Sequence, residues 1–194
     1  MKVEIEESKL QTAYANACDG VKDFMESLFG KKVFEAAKPT LDDYKTIRTY
    51  EDACVALKQD AIRVDSVNMP SYIVALMKLE TISRALWGRD FQPKPDGEGS
   101  KVYWYPWFAL YTKKEINDMY PEQRGALLSA YAFFGANAGF GYLYANYRSS
   151  YAIAYIGFRL CQETEEKAKY FGQQFIELWA EYLKFNFTVG NRLK

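Results

Sequence analysis

The 194-residue chain contains no histidine. That absence excludes Ser-His-Asp and Cys-His nucleophilic sites, histidine general bases and histidine-ligated zinc or iron. Cysteine is scarce: Cys18, Cys54 and Cys161 form no C-x-x-C pair, and their odd number leaves one thiol over in any disulfide scheme. They read as small apolar residues in a reducing compartment, so a cytoplasmic location is expected. Net charge is also missing. The 25 basic and 25 acidic side chains cancel, and no global field draws the chain to duplex nucleic acid or to an anionic membrane. Long apolar runs are absent apart from the uncharged stretch between Arg124 and Arg148, and Gly135, Asn137, Gly139, Gly141 and four tyrosines interrupt it. A buried segment of a soluble domain is expected there, with no membrane span. The acidic start, Met-Lys-Val-Glu-Ile-Glu-Glu, lacks the apolar stretch of a secretory signal. No internal repeat or low-complexity segment is present.

What the chain does contain is helical periodicity at both ends and aromatic residues between them. Leu10, Tyr14, Ala17, Val21, Phe24 and Leu28 share one face of a helix predicted over 7–29, stopped by Gly30. Residues 31–48 read as a connection with a short helix. Thr49 and Asp52 predict a capped helix to Lys58, and Pro70 starts another whose face is Ile73, Leu76, Met77, Ile82 and Leu86. Residues 92–100 are loop by composition. Seventeen of the 33 aromatic residues fall in the stretch 102–158. There, Val-Tyr-Trp-Tyr-Pro-Trp-Phe predicts a strand that either lies at an edge or ends at Tyr105, because Pro106 lacks the ladder donor. A helix interrupted by Pro121 is predicted over 113–132. A β-hairpin is predicted over 140–161, turning at 146–150, with 151–161 alternating as its second strand. Gly135, Gly139 and Gly141 suggest bulges or close backbone approach. Thr164 caps a last helix to about Lys184, and the tail after it is either frayed or packed on a neighbour.

Several blocks resemble a family of small uncharacterised proteins from phages and prophages of gut Bacteroidales. They are Thr49-Tyr50-Glu51-Asp52-Ala53-Cys54, the helix containing Leu79-Glu80-Thr81-Ile82-Ser83-Arg84-Ala85-Leu86, the run Trp104-Tyr105-Pro106-Trp107-Phe108, and Ile156-Gly157-Phe158-Arg159-Leu160-Cys161 leading into Thr164-Glu165-Glu166. Together the blocks cover roughly residues 46–185. The chain departs from the family pattern at Phe158, usually serine, and Gln162, usually phenylalanine. The resemblance implies a viral setting and transfers no activity.

No catalytic signature is visible. Asp42-Asp43, Glu51-Asp52 and Glu165-Glu166 are adjacent pairs that do not share a face, so solvated or helix-start roles are expected. Cys161 follows a strand and is expected to be buried. No cofactor or metal site is expected, since no loop carries alternating Asp/Asn ligands. Binding has more support. Trp104, Trp107, Tyr142, Tyr144, Arg148, Tyr155 and Arg159 combine rings with guanidinium groups, an environment suited to a base and its phosphate. The plainer alternative packs the rings in a core and pairs Arg159 with Glu163 or Glu166. The expectation is an α+β fold, with a helical N-terminal half and a C-terminal helix packed on a small antiparallel sheet. Residues 1–45 would be a helical segment and 46–194 the core. Its function would be non-enzymatic: holding a small anionic ligand or nucleotide, in a phage setting a sequestered host immune signal. The alternative is a virion or assembly component whose aromatic surface is a protein interface. Either would suit a homo-oligomer.

Overall fold

A computed structural model describes residues 10, 13–14, 16–34, 38–62, 68–88, 101–132, 137–149, 158–184 and 187–193. The chain divides into two compact units, Met1–Lys38 and Pro39–Lys194. In the first, α1 (Asp19–Phe29) and α2 (Lys31–Phe34) meet at Gly30, whose φ of +86° is readily open only to glycine. Tyr14 stacks on Phe34 with ring centroids 4.2 Å apart, and its hydroxyl donates to Glu26.

The larger unit is α+β. A 3₁₀ turn (Tyr44–Thr46) leads to α3 (Tyr50–Leu57). This helix begins in a reciprocal cap: the Asp52 N–H donates to the Thr49 hydroxyl at 3.1 Å, and the Thr49 N–H donates to the Asp52 carboxylate at 2.9 Å. Helix α4 (Ser71–Trp87) follows Pro70, as its sequence predicts. Four antiparallel strands then form one sheet: β1 (Val102–Thr112), β2 (Leu128–Ala132), β3 (Asn137–Ser149) and β4 (Phe187–Arg192), in the order β1-β3-β2-β4. Short helices α5 (Lys113–Asn117) and α6 (Pro121–Gly125) join β1 to β2. After β3, a 3₁₀ turn (Phe158–Leu160) precedes α7 (Glu165–Gln174) and α8 (Ile176–Leu183).

Strand β1 is an edge strand that runs through Pro106. The Trp104 N–H points outward and donates to the Gln162 carbonyl at 2.9 Å. Backbone alternation puts the Pro106 nitrogen on that same outer side, so its missing N–H removes no bond to β3. The core follows from the helical faces. Leu79, Ile82 and Leu86 of α4 are buried with Ile47, Ala53 and Cys54, and against Phe171 and Trp179 of α7 and α8. Ile176 and Ala180 meet Leu128, Ala130 and Phe140 of the sheet, while Phe108 touches both groups. Burying each large apolar side chain contributes about 1.5–3 kcal/mol.

The structure corrects several expectations. The first helix is broken at residues 16–18 and resumes at Asp19, and Cys18 there is exposed, unlike buried Cys54 and Cys161. Residues 113–132 form two short helices and strand β2. Strand β3 pairs with β1, and the expected turn at 146–149 is strand, because each of its residues pairs with β1. Phe158–Leu160 is a 3₁₀ turn instead of strand end. Residues 151–157 and the 92–100 loop lie outside the described residues. The last helix is two: at Phe175 the backbone leaves helical geometry, with φ −108° and ψ 27°. The tail is an ordered strand paired with β2.

Candidate functional site

The aromatic sequence between residues 102 and 149 folds into the β1–β3 ribbon, and its register sorts the candidate residues. Trp104 is opposite Tyr147 and Trp107 opposite Tyr144. The first pair meets edge to face with centroids 5.3 Å apart, and the second stacks at 5.8 Å. Strand alternation carries residues an odd number apart to opposite faces. Trp104 and Trp107 therefore belong to different faces of the ribbon.

The two faces have different surroundings. Pro106 and Phe108 share the Trp104 face and pack on α7 and α8: Phe108 lies 5.1 Å from Trp179, and a Cβ at Gly172 of α7 would come within 2.6 Å of both Pro106 and Tyr142. Tyr142 is thus half-buried under α7. Burial, with the Glu165 carboxylate near, pushes its phenol up to about 12, so it remains a neutral hydroxyl. On the Trp107 face, Gly139 and Gly141 are roofed by Ile116 and Leu127; a Cβ at Gly141 would be 2.2 Å from Leu127 Cδ2. The expected close approach at these glycines is therefore made by the segment leading into β2. Between roofed and buried ends, Trp107 stays half-buried and Tyr144 is 43% exposed. Across the ribbon, beyond the reach of α7, Tyr147 is 51% exposed and Val102 41%.

The remaining candidates are dispersed. Arg148 pairs with Tyr103 in the register. Arg159 stands on the 3₁₀ turn, its side chain exposed, 3.9 Å from Glu80 of α4. The expected partners Glu163 and Glu166 are engaged otherwise: Glu163 pairs with Lys167 at 3.2 Å, and hydrogen bonds from its own N–H and from Thr164 hold the Glu166 carboxyl below its ordinary value. Tyr155 lies outside the described residues. The structure brings together Trp104 with Tyr147 and Trp107 with Tyr144, and it does not gather both tryptophans around one cavity.

Nucleophilic chemistry finds no support at Cys161. Fully buried beside Tyr103 and Tyr105, its thiol is pushed up to about 12 by burial. Its carbonyl accepts hydrogen bonds from the Trp87 indole N–H and, at 3.4 Å, from the Ser83 hydroxyl. Among the described residues no group of three or more Cys, Asp or Glu is placed to hold a metal ion. No helix among them is long and apolar enough to cross a membrane. Sequence reasoning missed a cleft of about 500 Å³ bounded by β3, α7 and the end of β4. Its polar side chains, Gln123, Gln173 and Arg192, occur in no motif, so only the folded arrangement reveals them. No family model, curated protein or solved structure matches the chain.

Proposed function

We propose that this chain is a non-enzymatic interaction protein whose β1–β3 ribbon is a protein–protein interface. The observation that carries the reading is the pair of solvent-open Trp–Tyr contacts, one on each face of the ribbon. Cross-strand aromatic pairs are rigid and largely apolar with a polar tip, the features of interface residues that contribute most on binding. A core role would have closed the tyrosines off, as it closes off Trp179. Exposed Leu143 and Val102 extend the two patches. In the viral setting that the sequence resemblance implies, the partner would be another component of a particle or of its assembly. Sequestering a host nucleotide through both tryptophans has less support, because they stand back to back.

A photo-crosslinking residue installed separately at Tyr144 and Tyr147, in cells producing the chain, tests the proposal. Covalent adducts to one protein partner at both positions, and none at exposed Lys169 of α7, are expected. Folded protein that gives no adduct at either position, or equal adducts at Lys169, removes the reading.

A further inference from the structure

The cleft of about 500 Å³ has a definite origin in the sheet. Among the described residues β2 pairs with β3 at Gly139 and Phe140, and the β1–β3 register slips just beyond, between Trp107 and Phe108. Strand β3 therefore leaves β2 behind. Leu127, pressed on the two roofed glycines, holds the start of β2 against the sheet, and the gap becomes a cavity. Its volume lies within the range of about 300–1,000 Å³ typical of small-ligand sites.

The walls are of two kinds. Met119, Leu127, Leu143 and Ile176 supply apolar surface, and the ring of Tyr142 adds a flat one. Gln123, Gln173 and Arg192 supply the polar groups, all three exposed to solvent. Among the described residues no carboxylate lines this cleft. The adjoining cleft, of about 560 Å³, is the opposite: it shares Arg192 but is lined by Glu177 and Glu181. Arg192 stands on the boundary. Its Nη1 donates to the Ala126 carbonyl at 2.9 Å, and its Nε lies 3.8 Å from Glu177. These contacts fix the guanidinium in place, and its fork of five N–H donors still exceeds what two acceptors use. One cleft thus presents a cation, two amides and, among the described residues, no lining acid, while its neighbour is lined by two carboxylates.

We infer that the acid-free cleft binds a small aromatic monoanion, its ring laid on the apolar wall and its charge directed to Arg192 and the two glutamine amides. The site shares only Leu143 with the Trp–Tyr patches, and its cation and amides lie on other elements, so either assignment can fail alone. Anilinonaphthalene sulfonate, an aromatic monoanion whose emission rises on apolar contact, is the probe for a titration of the full chain. A single saturable site per chain is expected. Gln173→Glu places a carboxylate on an exposed helical position, where folding is undisturbed, and should weaken binding at least about tenfold. Arg192→Gln should do the same, and phenylnaphthylamine, the neutral analogue, should bind correspondingly less well. Unsaturable binding, no binding, equal affinity of the Gln173→Glu protein, or equal affinity for the neutral analogue would each overturn the assignment. Should Arg192→Gln lose its fold, the Gln173→Glu result decides.

Discussion

A hydrogen atom in place of a methyl group decides how closely α7 lies on the sheet. A Cβ at Gly172 would stand 2.6 Å from the Pro106 Cβ and the same distance from the Tyr142 ring, and neither can withdraw, one being a proline in a strand and the other pinned under the helix. Gly172→Ala should therefore destabilise the larger unit by about 1–3 kcal/mol through overpacking, read as a lower urea midpoint. Gly125→Ala provides the contrast, since nothing lies within 4 Å of a Cβ there. That change should leave stability equal or raise it by about 0.4–1 kcal/mol, because alanine restricts only the unfolded chain. Equal effects of the two substitutions would mean that α7 does not depend on this contact. No local pattern marks Gly172 as special. It sits inside a helix where glycine is disfavoured, and its reason is a strand over sixty residues earlier.

At the scale of elements, what was legible was what local chemistry decides. Thr49 with Asp52, and Thr164 ahead of its acidic pair, mark helix starts because the capping atoms lie within one turn, and both caps are present. The aromatic strand over 102–112 was legible from composition. Strands β2 and β4 were not. Leu-Ser-Ala-Tyr-Ala has no strong strand preference, and the tail is too short to signal; each becomes a strand because the other is there to pair with. The candidate site divides the same way: tryptophans and tyrosines announce a sticky ribbon, but which face each occupies depends on register, and the acid-free cleft depends on where β3 parts from β2. Strand β4 can be tested directly. Val189 is half-buried against Leu128 and Ala130, whereas neighbouring Thr188 faces solvent. Val189→Asp should cost about 1–3 kcal/mol by burying a carboxylate without a partner. Thr188→Asp should stay within about 0.5 kcal/mol. Urea unfolding followed by tryptophan emission measures both, and matching midpoints would show that the tail does not belong to the fold.

Taken as one molecule, the chain holds buried and half-buried phenols and a thiol that folding keeps protonated. Burial raises Tyr142, Tyr170 and Cys161 to about 12, from ordinary values of 10.0 for the phenols and 9.0 for the thiol. It raises Tyr105 as well. Below about pH 9 these groups hold their protons in the folded and the unfolded chain alike, so they leave stability flat. Above that, the unfolded chain releases protons that the folded chain retains. Stability should then fall as pH climbs through 10 and toward 12, and unfolding should release protons. Tyr105 isolates the effect. Its hydroxyl is buried against the Cys161 thiol, which acts on it through its field and as a weak hydrogen-bond partner, and no stronger partner reaches it among the described residues. Tyr105→Phe removes that poorly satisfied group and keeps the ring, so at neutral pH it should be neutral or slightly stabilising. In alkali the substituted protein should outlast the parent, because one fewer buried phenol is pulled toward ionisation. Urea midpoints of both proteins, taken from pH 7 upward with tyrosinate absorbance recorded alongside, should converge on a constant difference near neutrality and diverge above about pH 10. Parallel curves throughout would show that Tyr105 ionises as readily folded as unfolded, and that the packing of β1 against Cys161 is looser than its buried position implies.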